Sequence, residues 1–154
     1  MQIYLGSDHA GFNLKKVIKD YLNAKFEGSE DNKALDLGVF TNDATDYPDI
    51  AREVCEKVVE NKGSIGILIC GSGVGMSISA NRVNGIRAVL ANNVEIAQLA
   101  RAHNDANVLC LGGRMTTDEM AKAIVDAFLN TKFEAEENNV RRLEKIETVM
   151  NSPK

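Results

Sequence analysis

Five short apolar runs punctuate the chain, at residues 3–5, 34–37, 65–69, 86–90 and 108–111. They are nearly continuous instead of alternating, the pattern of strands covered on both faces of a parallel sheet. The segments between them carry helical spacing. Leu14, Val17, Ile18, Tyr21 and Leu22 form one stripe, Ile50, Val54, Cys55, Val58 and Val59 a second, and Met120, Ala121, Ile124, Val125 and Phe128 a third. The third is preceded by Thr116-x-x-Glu119, a capping-box pattern. Strand and helix in regular alternation predict a doubly wound, Rossmann-like α/β fold: a five-stranded parallel sheet in a three-layer αβα sandwich. A last stripe of Val140, Leu143, Ile146 and Met150 predicts an extra C-terminal helix over about 136–150, with no strand after it. Such a helix either packs on its own domain or reaches a neighbouring subunit.

The 154 residues match one domain over 1–154, with no internal repeat and no linker-like stretch. A formal charge of -4 argues against general nucleic-acid binding, which favours a basic surface, but leaves room for a small anion held by local donors. No run approaches the roughly 20 apolar residues of a membrane helix, and the N-terminus lacks a signal-peptide pattern. Cys55, Cys70 and Cys110 are widely spaced and odd in number, which fits a reducing compartment better than a disulfide framework or a zinc site. A cytoplasmic protein is expected.

In open parallel sheets, ligands bind beyond the carboxyl ends of the strands. That rule singles out four loops, at 6–11, 38–48, 70–75 and 112–115. The third reads Cys70-Gly71-Ser72-Gly73-Val74-Gly75-Met76. Three glycines at a strand-to-helix turn let backbone N–H groups converge on a negative centre. The plainer alternative, a tight turn packing a helix onto the sheet, explains the glycines less fully. Dinucleotide binding would need Gly at position 76, and a cysteine phosphatase would need Arg there; Met76 excludes both. The loop at 6–11 has phosphate-loop spacing, but Phe12 and Asn13 stand where Lys and Ser or Thr are required. Cys70, at the lip of a strand before a cluster of donors, is placed to serve as a base or nucleophile. Cys55 and Cys110 read as small core residues.

Only two histidines occur. His9 follows Asp8 at the favoured end of the first strand, where an Asp-His pair suits binding or proton transfer. His103 falls between a helix end and the fifth strand, at the opposite edge of the sheet from Cys70. Taken with Gly6-Ser7-Asp8-His9-Ala10-Gly11, Asp46-Tyr47-Pro48, the Cys70 loop through Ile78, Gly85-Ile86-Arg87-Ala88 and His103-Asn104-Asp105-Ala106-Asn107, the chain resembles the B-type ribose-5-phosphate isomerases. That family also includes galactose-6-phosphate isomerase subunits. The match runs in order over roughly residues 1 to 133.

The resemblance implies aldose-ketose isomerisation of ribose 5-phosphate and ribulose 5-phosphate through a cis-enediolate, without metal or organic cofactor. Position by position, it makes Cys70 the base, has His103 assist ring opening, and assigns Asp8, His9, Tyr47, Asn104, Arg114 and the loop residues Gly71, Gly73, Val74 and Gly75 to the ligand. Ser72 stands where a hydroxyl can pass a proton. Family members often carry a Gly-Gly-Arg-His run whose arginine holds the phosphate; this chain instead reads Glu134-Ala135-Glu136-Glu137-Asn138-Asn139. Arg141 and Arg142 follow, either as phosphate ligands or as solvated charges on the last helix. A sheet measures roughly 15–20 Å along its strands. A site using both Cys70 and His103 must therefore be shared across a homodimer, or a tetramer built from such pairs. Two other readings compete: isomerisation of a hexose 6-phosphate, and a non-catalytic sugar-phosphate-binding module.

Overall fold

A computed structural model describes residues 1–151; residues 152–154 and the side chains of Met150 and Asn151 lie outside the described residues. The elements run β1 (Gln2–Ser7), α1 (Phe12–Lys25), β2 (Lys33–Asp36), α2 (Tyr47–Glu60), β3 (Ile65–Cys70), α3 (Val74–Ala80), β4 (Ala88–Leu90), α4 (Val94–Asn104), β5 (Val108–Gly112), α5 (Asp118–Asn130) and α6 (Glu137–Asn151). All five strands are parallel, in the order β2-β1-β3-β5-β4. The expected architecture, including the C-terminal helix, is the one observed.

Side chains alternate between two cores. Ile65, Ile67 and Ile69 of β3 pack with Leu14, Ile18 and Leu22 of α1 and with Ile124, Val125 and Phe128 of α5. Leu68 and Cys70 face the other way, onto Ala51, Val54 and Val58 of α2 and Met76 and Ala80 of α3. Helices α1 and α2 therefore cover opposite faces, and the chain passes from β2 on one side of β1 to β3 on the other. The carboxyl ends of β1 and β3 flank the crevice that this reversal opens, the favoured ligand position of doubly wound sheets.

Details differ from the pattern-based expectation. Of the inner strands β3 and β5 are buried throughout and β1 from Ile3 on; β2 and β4 lie at the sheet edges and are half exposed. The fourth strand starts at Ala88, not at residue 86, because Ile86 turns into the α2/α3 core. The cap of α5 is Thr117, whose hydroxyl accepts from the Met120 N–H at 3.3 Å, one residue later than the capping-box reading. Val59 and Met120 sit at the margins of their stripes and are exposed.

Lys15 is the unexpected member of the core, 1% exposed on the buried side of α1. Its ammonium donates to Asp36 Oδ1 and to the Val39 carbonyl, both at 2.5 Å. Burial pushes Lys15 down from the ordinary lysine value, against the opposing pull of Asp36. Burial pushes the Asp36 carboxyl up, but hydrogen bonds from Lys15 and the Gly38 N–H, with the Lys15 charge, outweigh this and hold it below 3.8. Asp36 thus stabilises the fold fully above the carboxylate value of the unfolded chain, and that contribution disappears as pH falls through the lower folded value. Asp36→Asn should cost about 3 kcal/mol at neutral pH, since it strands a buried ammonium. Thermal melts of wild type and variant should converge as the pH is lowered below about 4.

Candidate active site

The loops after β1, β3 and β5 close on one another at the carboxyl edge. The Asp8 N–H donates to the Ile69 carbonyl at 3.2 Å, the Gly113 N–H to Cys70 O at 2.7 Å and the Arg114 N–H to Gly71 O at 3.0 Å. Asp8, buried, accepts from the Gly11 N–H through Oδ1 at 2.9 Å, which tightens the first loop. Together with the start of α2 they surround an open cavity of about 710 Å³. Asp8, His9, Tyr47, Cys70, Gly71, Ser72, Val74, Gly75 and Arg114 line it, all of them singled out from the sequence.

Cys70 ends β3 and lines the cavity, 5% exposed, and its Sγ accepts from the Gly73 N–H at 3.1 Å. A donor in that position stabilises an anionic sulfur. Gly73 itself supports the turn from beneath: its φ is +79°, and a Cβ there would lie 2.5 Å from Leu90 Cδ1. The Tyr47 ring lies so close over Gly75 that a Cβ on the glycine would come within 2.6 Å of it. The Arg114 side chain borders Gly71 at ordinary contact distance, 3.7 Å from a Cβ built there. The Ser72 hydroxyl is exposed in the cavity and accepts from the Val74 N–H at 3.3 Å.

The remaining predicted residues lie elsewhere in the chain. His103 and Asn104 end α4, before the amino end of β5, whereas Cys70 pairs with Gly112 at that strand's carboxyl end. His103 Nε2 is 3.7 Å from a Glu134 carboxylate oxygen, and the segment after α5 is held there by the Glu134 N–H donating to Ala102 O. Arg141 donates to Asn138 on its own helix, and both Arg141 and Arg142 are exposed on α6. Helix α6 is tied down by Asn139, which donates to Glu134 O, and by a Glu147–Arg87 ion pair at 2.9 Å.

Ala10, Ile78 and Met115 complete the cavity wall; they fall inside the loops and the motif singled out from the sequence but were not named there as site residues. Ile78 follows Val74 by one helical turn on the exposed face of α3, a spacing that pointed to it; Met115, 77% exposed, had only its place beside Arg114. The other two thiols belong to the same core as Cys70 but do not line the cavity. Burial pushes Cys55 up to about 12 and raises Cys110 well above the ordinary thiol value. Iodoacetamide at pH 8 should therefore modify Cys70 well ahead of Cys55 and Cys110, as peptide mass mapping after short exposure would read.

A parallel α/β sheet with a thiol, a hydroxyl, an imidazole and a guanidinium around an open cavity at its switch point has the makings of an enzyme for a small anionic substrate. The sequence pattern of the ribose/galactose isomerase family matches residues 3–146, and the chain belongs to that family. A ribose-5-phosphate isomerase B of Mycolicibacterium paratuberculosis is 43% identical over 145 residues, covering 94% of this chain and 88% of that protein. The crystal structure of a Thermotoga maritima ribose 5-phosphate isomerase superposes with a TM-score of 0.89 at 44% identity, over 96% of this chain and 97% of that one. The Mycoplasma genitalium ribose-5-phosphate isomerase B, solved with bound ribulose 5-phosphate, gives a TM-score of 0.91 at 42% identity, over 99% and 97% of the two chains. The protein is an isomerase, which sets aside the non-catalytic binding module. Among the described residues, no helix is long and apolar enough to cross a membrane.

Proposed function

We propose that this isomerase interconverts ribose 5-phosphate and ribulose 5-phosphate, with the Cys70 thiolate as the base. The observation that carries the reading is that Cys70, its sulfur bonded to the Gly73 N–H, lines the same cavity as Ser72, His9 and Arg114. In the aldose-to-ketose direction, the thiolate takes the proton from C2 of the open-chain sugar. The electron pair forms the C1–C2 double bond and O1 becomes anionic. Amide N–H groups of the 71–75 loop stabilise that enediolate, a contribution of a few kcal/mol per donor. The Cys70 thiol then returns its proton to C1 while the hydroxyl proton of O2 passes to O1, with Ser72 as the relay. Arg114 and His9 supply the charge and hydrogen bonds for the phosphate, with Asp8 and Tyr47 on the sugar hydroxyls.

His103, Asn104, Arg141 and Arg142 lie outside the cavity of their own chain, and we assign them to the site of a second subunit in a homodimer. His103 would then assist ring opening across the interface, with Glu134 beside it. The exposed Val74, Ile78 and Met115 at the cavity rim support a covering partner. The absence of an arginine between residues 134 and 139 leaves Arg114, His9 and the α6 arginines to hold the phosphate.

A direct assay with ribose 5-phosphate beside hexose 6-phosphates tests the substrate: the pentose should give the higher kcat/KM, and a hexose preference would overturn the assignment. Purified heterodimers of Cys70→Ala and His103→Ala chains test the sharing. They should recover about half of the wild-type activity, because one of two sites keeps both groups; homodimer-like inactivity would refute it.

A further inference from the structure

The β2–α2 loop reaches His9 on the cavity wall, and one buried ion pair holds its root. Asp36 Oδ1 accepts from both the Lys15 ammonium and the Gly38 N–H, while Lys15 also donates to the Val39 carbonyl. Val39 and Gly38 are bonded in turn to Ser7 of β1, at 2.9 and 2.8 Å. Beyond Val39 the side chains of Thr41, Asp43 and Thr45 bond locally within the loop. The loop then returns to the site, where the Thr45 N–H donates to His9 Nδ1 at 3.4 Å. A backbone N–H can only donate, so the ring nitrogen facing it carries the lone pair. A neutral His9 therefore has its proton on Nε2, leaving that nitrogen as a donor toward the cavity.

We propose that Lys15 is a positioning residue for His9: by fixing where the loop leaves the sheet, the Lys15–Asp36 pair places the Thr45 N–H that selects the Nε2–H tautomer. Its value for catalysis rests on the proposed isomerase function, where an Nε2–H meets the anionic end of the sugar phosphate. A charged lysine suits the task because its ammonium can satisfy the carboxylate and the carbonyl at once, with the Phe12 and Phe40 rings at 5.7 and 5.3 Å. A purely structural ion pair would leave the imidazole indifferent to its loss.

The test combines kinetics with imidazole 15N–1H correlation spectra at about pH 8.5, where an ordinary histidine is neutral. With only two histidines present, a His9→Asn spectrum assigns the signals. Wild type should show His9 as the Nε2–H tautomer. Lys15→Met/Asp36→Asn, which leaves no unpaired buried charge, should show a tautomer mixture and a KM raised about tenfold, the loss of one well-placed donor, with kcat within about threefold. Thr45→Pro deletes the donor itself and leaves the ion pair intact, so it should reproduce both effects even if the double variant folds poorly. An unchanged tautomer and KM in folded Thr45→Pro, or in the folded double variant, would overturn the proposal. Wild type without isomerase activity would instead refute the proposed function, while the spectra would still read the Lys15–His9 link.

Discussion

Cys70→Ala should lower kcat for ribose 5-phosphate by about 10³-fold, within the range a positioned general base contributes, while KM changes little. Of the three cysteines that share the α2/α3 core, Cys70 alone lines the cavity; Cys55 and Cys110 are fully buried, with burial holding both protonated. No second sulfur can then substitute as the base. The alanine fits the space of the thiol, so the variant should fold and bind the sugar phosphate, which calorimetry with ribulose 5-phosphate would verify. A variant retaining activity within tenfold of wild type would remove Cys70 from the chemistry. Loss of binding together with loss of turnover would assign the residue a packing role.

Gly11→Ala should be nearly as damaging, for a geometric reason. A Cβ at position 11 would stand 2.3 Å from the Ile69 carbonyl oxygen and 2.6 Å from its carbon, backbone atoms that cannot turn aside as a side chain tip can. Relief requires the Asp8–Gly11 turn and the end of β3 to separate. Overpacking of this kind costs about 2–3 kcal/mol, which lowers the melting temperature of a chain this size by about 5–10 °C. The same movement shifts Asp8 and His9 away from Cys70, and a displacement near 1 Å typically costs about 100-fold in rate. Melting curves and kcat/KM on one preparation would measure both. A near-wild-type rate in the destabilised variant would show that the two loops need not stay in register for turnover.

The inner strands were legible because burial on both sides demands unbroken apolar runs, as in 65–69 and 108–111. The site loops followed from the strand ends, so Asp8, His9, Tyr47, the Cys70 loop and Arg114 were found where the cavity formed. Lys15 was not legible. A lysine beside an apolar stripe reads as solvated, and its burial depends on Asp36 and Val39, residues 21 and 24 positions away, reaching the same point. Met115 escaped for a similar reason: lining a cavity is a property of the folded surface, with no periodicity to announce it. The cap of α5 slipped by one residue because two adjacent threonines offer the same hydroxyl, and only the chain's entry angle chooses between them.

The linear order of residues determined the alternation of strands and helices, the glycine turn that presents amides beside a thiol, and the family to which the chain belongs, because those depend on short-range periodicity and local backbone freedom. The folded arrangement decided the strand order, the crevice between β1 and β3, and the burial of Lys15. Each of these arises from contacts between segments far apart in the chain, whose energies exist only once the layers have packed.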